Sequence, residues 1–457
     1  MTRTGVAPDA ALTTAADPAQ ALAFYQDAPR SLAQFLCDVA DVAALWPPRA
    51  PILNACADRY HFMVGLAAAA AAGRMTVLPA THAVEIIKSL HARMPDMHCL
   101  ADGDFPVALP IVRFPRLAPA GRVRRAPPVP RIPLDRPVVT VFTSGTTGVP
   151  VGHVKTWGSL VASAHAEAAR LGLDDGPAWS LVATVPPQHM YGLESSVMLS
   201  LHGRALAHHG RPFYPEDIAG ALAAVPRPRL LVTSPVHLRA LLTSAAAVPP
   251  LDAVLCATAP LPRALAEEAE QRLHAPLHEI YGATEAGQVA TRRPTQSDLW
   301  TLFPGLVLEA RDASFVVHGG HVETPAALGD VIEPSGPREF RLHGRGTDIV
   351  NVAGKRSSIA FLEQQLLAIP GVLDGAFYMP DEDLAGPVAR LTAFVVAPGL
   401  TAAAIETALR ARLDPVFLPR PLILVDALPR LATGKLPLSA MHQLLASRTR
   451  QAGGGRG

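Results

Sequence analysis

Four hydroxyl side chains and two glycines occupy six successive positions directly after an apolar run. The run covers residues 138–142, and the six residues are Thr143, Ser144, Gly145, Thr146, Thr147 and Gly148. Glycines let a backbone approach an anion closely, and hydroxyl and backbone N–H groups donate hydrogen bonds to phosphate oxygens. No Gly-Lys-Ser/Thr triplet follows at the spacing of a Walker loop, which argues against an ordinary P-loop kinase. The composition predicts a phosphate-binding loop, and a surface loop without a ligand is the alternative.

Three further segments each hold one residue suited to nucleotide or acid chemistry. Glu285 closes the pentapeptide YGATE after a β-like stretch at 277–280, and a carboxylate is the hard oxygen ligand that Mg²⁺ prefers. His189 lies in PQHMYGL, after the apolar run 181–185, and Lys435 follows a glycine near the C-terminus. Taken singly, these residues are also typical of a strand end, a capped loop histidine and a surface lysine.

Together the motifs resemble the adenylate-forming superfamily of acyl-CoA synthetases, aryl acid ligases, peptide-synthetase adenylation domains and luciferases. TSGTTGVPVG, at residues 143–152, is similar to the signature phosphate loop of that family. YGATE, GRGTDIVNVAGKR and LPRLATGKL are similar to its later motifs, in the same order, and the resemblance covers residues 138–436. One departure is Val151, where the family usually has a lysine; Lys155 lies four residues further on.

The resemblance implies ATP and Mg²⁺ as cofactors. Residues 143–148 would surround the phosphates. Thr284 would hydrogen-bond the α-phosphate and Glu285 would hold Mg²⁺. Tyr281 would offer a flat face to adenine.

The same resemblance assigns the ribose and the hinge. Asp330 would accept hydrogen bonds from both ribose hydroxyls, and Arg345 would reach the nucleotide as a fork-shaped donor. Thr347 and Asp348 would form the interdomain hinge. Gly354 would let a pantetheine arm pass close to the backbone.

For the acid, the resemblance places His189 beside the carboxylate and assigns Tyr191, Ser195 and Gly282 to the acyl pocket. Relatives that activate amino acids have an aspartate near this position, and none occurs between residues 185 and 200. Because an unpaired ammonium in such a pocket is costly, an α-amino acid is disfavoured. Lys435 would swing in with a small domain and stabilise charge as the carboxylate attacks the α-phosphate.

The elements that must position these residues alternate between short apolar runs and helical stretches. β-like runs at 138–142, 181–185, 230–233 and 253–256 alternate with helices at 159–171 and 262–274. This alternation predicts α/β layering with buried, largely parallel strands. The first hundred residues are predicted to be helical. The proline- and arginine-rich stretch 105–137, whose only acid is Asp135, is predicted to be an extended connection without helix or strand.

A second unit is predicted from about residue 345. Helices at 359–368, 402–413 and 439–446 alternate with strands at 391–396 and 422–425. The expected organisation is a large α/β domain of layered sheets and helices at 1–344 and a small, mobile α+β lid at 345–457.

Composition excludes several other classes of protein. Of the 457 residues, 49% are hydrophobic and 17% are charged, which excludes wholesale disorder. A net charge of +1 provides no global field to recruit nucleic acid. The cysteines stand alone, without a C-x-x-C pair, and no export or membrane-spanning segment is evident, so a cytoplasmic location is expected.

The sequence therefore predicts an AMP-forming acid–thiol ligase. It would adenylate an aromatic or short to medium acyl acid and pass the acyl group to a phosphopantetheine thiol, either of coenzyme A or, with a slight preference, of an acyl carrier protein. Two alternatives stay open. One is a degenerate relative that binds nucleotide or acyl ligand without catalysis, and the other is a different phosphoryl-transfer enzyme that releases ADP.

Overall fold

The computed structural model describes most of the chain. The described residues are 8–26, 28–47, 50–107, 109–119, 125–143, 151–311, 314–345, 349–352, 355–379, 391–431, 436–437 and 440–446.

Strands occur along the whole described chain. Up to residue 208 they are β1 (Asp9–Ala11), β2 (Ala21–Tyr25), β3 (Ala28–Ser31), β4 (Ile52–Asn54), β5 (Thr76–Leu78), β6 (His98–Ala101), β7 (Ile111–Arg113), β8 (Arg131–Pro133), β9 (Pro137–Thr143), β10 (Val151–Thr156), β11 (Trp179–Ala183) and β12 (Ala205–His208). Beyond it they are β13 (Arg229–Thr233), β14 (Ala253–Cys256), β15 (Leu277–Ala283), β16 (Gly287–Arg292), β17 (Trp300–Leu302), β18 (Leu306–Arg311), β19 (Ser314–Gly319), β20 (Val322–Leu328), β21 (Asp330–Pro334), β22 (Glu339–Arg345), β23 (Ile349–Val352), β24 (Lys355–Ser358), β25 (Asp374–Tyr378), β26 (Thr392–Val396) and β27 (Leu422–Leu424).

Helices lie between these strands. They are α1 (Leu32–Ala43), α2 (Arg59–Ala71), α3 (Val84–Arg93), α4 (Trp157–Leu171), α5 (Met190–Gly192), a π-helix (Leu193–Met198), α6 (Leu199–His202), α7 (Pro215–Ala223), α8 (Pro235–Thr243), α9 (Arg263–Leu273), α10 (Ile359–Leu367) and α11 (Ala402–Arg410).

The N-terminal sheet has the order β10-β9-β5-β4-β6-β7. Its strands are parallel except for β10, which is antiparallel to β9. The prediction of a helical first hundred residues is therefore wrong for β1 to β6. The missed central strands β4, β5 and β6 are only three or four residues long, are mostly buried and contain one polar residue each. Such short buried runs have no periodicity of their own.

The proline-rich stretch also departs from its prediction. Two short strands, β7 and β8, lie within it, and Ile132 of β8 is fully buried. Strand β8 pairs antiparallel with β1, and β7 pairs in parallel with β6. Both lie at sheet edges, where proline is tolerated because half of the backbone N–H groups have no ladder partner.

The larger sheet brings the candidate motifs to one edge. Its order is β21-β22-β17-β16-β15-β14-β13-β11-β12-β2-β3. Strands β15, β14, β13, β11, β12 and β2 run parallel to one another. Because the carboxyl ends of parallel strands meet at the same edge of a sheet, the segments after β11, β13, β14 and β15 converge there.

Local sequence explains where the helices around the site begin. Asp58 caps α2 by accepting hydrogen bonds from the backbone N–H groups of Tyr60 and His61. Thr156 caps α4 through the N–H of Ser159, and that helix ends at Gly172 with φ of 69°, a conformation that favours glycine. Helices α7 and α8 each begin with proline.

The C-terminal part has a core of its own. A three-stranded sheet, β25-β26-β27, packs with α10 and α11 around buried residues that include Leu362, Phe377 and Leu409. Among the described residues, no helix has the length and apolar character needed to cross a bilayer.

Candidate nucleotide and acyl site

The ends of the predicted phosphate loop are joined by a pair of antiparallel strands. Thr143, the last residue of β9, is the register partner of Val151, the first residue of β10. Ser144, Gly145, Thr146, Thr147 and Gly148 lie outside the described residues. Residues 143 and 151 therefore fix where the loop leaves the sheet and where it returns.

The second motif forms the hairpin between β15 and β16. Thr284 and Glu285 lie in its turn, which is closed by a hydrogen bond from the N–H of Ala286 to the carbonyl of Ala283. The Glu285 side chain is 46% exposed, so its carboxylate is available to a ligand. Gly282 lies at a bulge in this pairing, where an added Cβ would be 2.5 Å from the carbonyl oxygen of Gly287. The turn geometry thus requires glycine at that position.

The hairpin turn contacts strand β10. The Nε2 atom of His153 lies 3.3 Å from Oγ1 of Thr143 and 3.8 Å from Oε1 of Glu285. The Lys155 ammonium donates a hydrogen bond of 2.8 Å to the backbone carbonyl of Glu285. The structure therefore brings together Thr143 and Glu285, two residues that the sequence assigned to the nucleotide, with His153 between them.

Burial dominates the electrostatics of this contact. It lowers the pKa of Lys155, while the carboxylates of Glu194 and Glu285 oppose the shift. It also lowers the pKa of His153, again against the nearby Glu285 carboxylate. Sequence analysis missed His153 altogether. The sequence does contain a signal for it, because Val151, His153 and Lys155 occupy every second position of a strand and so share one face.

A tyrosine and an aspartate that the sequence assigned to adenine and ribose are hydrogen-bonded to each other. The Tyr281 hydroxyl donates to Oδ2 of Asp330 at 2.6 Å. The tyrosine ring makes edge contacts with Trp300 and Phe340, which fix its orientation. Asp330 begins β21 and is the register partner of Arg345 on β22. Thr347 and Asp348 lie outside the described residues.

The acyl segment follows β11. His189 is half-buried at the start of α5, and its carbonyl accepts a hydrogen bond from the N–H of Leu193. The Tyr191 hydroxyl donates to the carbonyls of Thr233 (3.2 Å) and Leu255 (3.0 Å), which ties α5 to β13 and β14. The hydroxyl of Tyr191 is thus used in hydrogen bonds to the backbone, and only the ring remains for contact with a ligand.

Ser195 lies deeper than its predicted place in an acyl pocket requires. It is fully buried in the π-helix, where the Gln288 amide lies 3.4 Å from its hydroxyl. The same amide donates to the Glu167 carboxyl at 2.6 Å. Ser195 therefore belongs to a polar cluster between the π-helix, α4 and β16.

Replacing Gly192 with alanine is expected to destabilise this segment severely. An added Cβ would overlap with the carbonyl oxygen of Pro186 and lie 3.2 Å from Cα of Pro187, so the backbone would have to move. We expect a loss of about 2–4 kcal/mol in the free energy of unfolding, measured by urea denaturation. Gly220→Ala is the control, since nothing lies within 4 Å of its added Cβ and alanine is the better helix former. Equal stability of the two variants would contradict this geometry.

The buried carboxyl of Glu167 makes stability depend on pH. Burial raises its pKa from 4.5 to about 8. Between those values the native state keeps a proton that the unfolded chain has released, so the free energy of unfolding falls as pH rises.

Glu167→Gln is expected to flatten this slope and to be about 1–3 kcal/mol more stable than the wild type at pH 8. Urea unfolding at pH 5, 6.5 and 8 tests this. The exposed Glu216→Gln is the control, and parallel slopes for wild type and Glu167→Gln would refute the assignment.

Arg59 is a second residue that sequence analysis missed. It is 1% exposed, and it donates to the Ser196 hydroxyl and to the carbonyls of Ala183 (2.9 Å) and Val185 (2.8 Å). Burial lowers its pKa to about 9. Its three acceptors lie before and after His189 in the chain, so Arg59 fixes both ends of the acyl segment. An arginine in the first turn of an otherwise apolar helix is the only sequence signal.

The C-terminal motifs are only partly described. Gly354 and Lys435 lie outside the described residues. Arg430, which precedes Lys435, makes a bidentate ion pair with Asp374 at the start of β25, with distances of 2.8 and 2.7 Å. This pair anchors the segment that leads to Lys435.

Comparison with known proteins places the chain in a family. The model of the AMP-binding enzyme family matches residues 50–312, and that of the AMP-binding enzyme C-terminal domain matches residues 362–435. The chain belongs to the AMP-binding enzyme family.

Named relatives share this assignment. The chain is 31% identical over 273 residues to 4-coumarate–CoA ligase of Rhodobacter capsulatus, covering 60% of this chain and 66% of that relative. It is 27% identical over 338 residues to 2-succinylbenzoate–CoA ligase of Listeria monocytogenes, covering 68% and 70%. The alignment thus spans just under two thirds of the first relative's length. The predicted family resemblance is confirmed, since the family models and these named CoA ligases both match the chain.

Solved structures share the fold. The ATP-bound MatB of Rhodopseudomonas palustris has a TM-score of 0.77 at 19% identity, covering 94% of this chain and 96% of that one. The O-succinylbenzoate coenzyme A synthetase of Bacillus subtilis in complex with AMP has a TM-score of 0.75 at 19% identity, covering 92% and 94%. The predicted fold class, a large layered α/β domain followed by a C-terminal domain, is confirmed.

Proposed function

We propose that this chain activates an aromatic carboxylic acid with ATP and transfers the acyl group from the acyl-adenylate to coenzyme A. The observation that carries the proposal is the meeting of Thr143, His153 and Glu285 at the point where the phosphate-loop strands contact the β15–β16 hairpin. Thr143, from which the hydroxyl-rich segment leaves the sheet, and an exposed carboxylate lie beside the same histidine, which suits a nucleotide with a bound cation.

The first half-reaction follows from these residues. The loop at 143–148 and Thr284 hold the phosphates, while Asp330 and Arg345 hold the ribose side of the nucleotide. Tyr281, packed against Trp300 and Phe340, provides a flat wall for adenine. Activation is needed because a carboxylate is a poor electrophile, whereas AMP is a good leaving group.

Magnesium is the cation that the donor set fits. Glu285 supplies one exposed carboxylate, and Mg²⁺ takes one or two carboxylates with nucleotide phosphates completing its shell. The described residues contain no cluster of three or more histidine, cysteine or acidic side chains, as a protein-only metal cage requires. When bound, the ion would neutralise charge on the phosphates, and Glu285 would hold it there.

The acid is proposed to bind beside His189, with the Tyr191 ring and Gly282 as walls. The named relatives act on coumarate, succinylbenzoate and indoleacetate, which supports an aromatic acid. The same relatives are named as CoA ligases, which supports coenzyme A as the acceptor over the acyl carrier protein that was slightly preferred from the sequence. Gly354 and the hinge residues Thr347 and Asp348 keep their predicted roles within a lid at 345–457, in a cytoplasmic enzyme.

Product analysis tests the reaction class. The enzyme is incubated with MgATP, coenzyme A and each of a panel of acids: 4-coumarate, benzoate, indoleacetate, octanoate and phenylalanine. The expected products are AMP, pyrophosphate and a thioester with at least one aromatic acid. ADP would indicate a different phosphoryl-transfer enzyme. Nucleotide binding without turnover for any acid would indicate a degenerate relative, and a response to phenylalanine alone would contradict the proposed acyl site.

The acceptor is tested in parallel. Coenzyme A and a purified holo-acyl carrier protein are supplied at equal thiol concentration with the best acid. Thioester formation at least tenfold faster with coenzyme A is expected. Faster transfer to the carrier protein would reverse this assignment while leaving the adenylation reaction intact.

A further inference from the structure

One face of strand β10 is directed at the hairpin that carries Glu285. Val151, His153 and Lys155 all lie on this face, because successive side chains of a strand point to opposite sides. Val151 is 48% exposed and brings no charge or hydrogen-bonding group to the face. His153 and Lys155 therefore supply the polar groups that this part of β10 presents to the hairpin.

These two residues play different parts. Lys155 is 8% exposed, and its ammonium already donates a hydrogen bond to the Glu285 carbonyl, with the buried Glu194 carboxyl group nearby. It positions the hairpin turn. The His153 side chain is 18% exposed, and its Nε2 atom points between the Thr143 hydroxyl and the Glu285 carboxylate. The distances from this nitrogen are 3.3 and 3.8 Å, which leaves it only weakly engaged by either oxygen.

We propose that Nε2 of His153 donates a hydrogen bond to the phosphate tail of ATP beyond the α-phosphate, with Lys155 as the positioning residue for the carboxylate opposite. This inference rests on the proposed function, because it takes Thr143 as the start of the phosphate loop and Glu285 as the cation ligand. The donor lies between the Thr143 hydroxyl and the Glu285 carboxylate, and a phosphate held by the first and a cation held by the second would meet beside it. His153 therefore provides a hydrogen-bond donor on this face, whereas the apolar side chain of Val151 provides none.

Equilibrium binding separates this role from a structural one. A group that contacts only the β- and γ-phosphates affects binding of ATP and of pyrophosphate, but not binding of AMP. His153→Phe keeps a ring of similar size and removes the donor. We expect it to weaken binding of ATP and of pyrophosphate by about 10-fold to 100-fold, with AMP binding changed less than twofold. Isothermal titration calorimetry on the full chain, with and without Mg²⁺, gives all three constants.

Two further variants complete the experiment. His153→Gln retains a neutral N–H donor and is expected to recover most of the lost ATP affinity. Val154→Ala changes the neighbouring residue on the opposite, solvent-facing side of β10, where Val154 is 56% exposed, and is expected to alter none of the constants. Thermal melting of each variant verifies the fold.

The outcomes are distinct. Equal losses for ATP and AMP in His153→Phe, or no loss for either, overturn the inference, as does a His153→Gln variant no better than His153→Phe. Should His153→Phe fail to fold, full ATP affinity in a folded His153→Gln supports the inference, and affinity lowered equally for ATP and AMP opposes it. Wild-type chain that binds ATP and AMP equally well overturns the inference alone. Wild-type chain that binds neither nucleotide overturns the proposed function with it.

Discussion

Acyl-adenylate formation is expected to fall by about 10²-fold to 10³-fold when Lys435 is replaced by alanine. The resemblance assigns this lysine to the charge that develops as the carboxylate attacks the α-phosphate. A preorganised cation acts most strongly where water is excluded, which gives the large effect. Thioester formation from supplied acyl-adenylate is expected to stay within about threefold of the wild type, because the α-phosphate is no longer attacked in that step.

Two assays measure this difference. Pyrophosphate exchange reports adenylation, and release of AMP from synthetic acyl-adenylate plus coenzyme A reports transfer. Lys88→Ala is the control, since Lys88 is an exposed lysine paired with Glu85 on α3. Equal losses in both half-reactions would show that Lys435 serves both steps or the fold itself.

Replacing Arg59 with methionine is expected to lower the free energy of unfolding by about 3–5 kcal/mol. The substitution keeps most of the side-chain volume but leaves two buried carbonyls and the Ser196 hydroxyl without their donor. Because these acceptors lie on both sides of His189, KM for the acid is expected to rise at least tenfold in the protein that does fold. KM for ATP is expected to change less.

Urea unfolding and steady-state kinetics measure the two effects. Arg113→Met is the control, since Arg113 is an exposed arginine paired with Asp104, and surface pairs contribute at most about 1 kcal/mol. If Arg59→Met and Arg113→Met have the same free energy of unfolding, the buried hydrogen bonds of Arg59 do not contribute the expected ~3–5 kcal/mol.

The sequence predicted several elements of the chain beyond the proline-rich stretch closely. Strand β14 was predicted with its observed limits, and helices α4, α9 and α10 within two residues at each end. The short strands β4, β5 and β6 were missed because three or four buried residues have the same composition whether they are helical or extended.

Some residues of the candidate site could likewise be predicted from the sequence, and others could not. Its contiguous motifs, such as YGATE, were recognisable because their chemistry lies within a few residues. His153, Lys155 and Arg59 were not assigned such partners, since their contacts join residues that are distant in the chain. Lys155 is 130 residues from Glu285, and Arg59 is 137 residues from Ser196. Those contacts form only when the sheets assemble, and local patterns in a single sequence do not reveal which distant residues will be neighbours.

The ion pair between Arg430 and Asp374 limits the reach of Lys435. Lys435 lies five positions beyond the anchored arginine, and five fully stretched residues span at most about 18 Å. A larger displacement of Lys435 toward the nucleotide requires the sheet that contains Asp374 to move as well. On the proposed role of Lys435, the distance that its ammonium could cover to reach the nucleotide would therefore be set mainly by the movement of the C-terminal core.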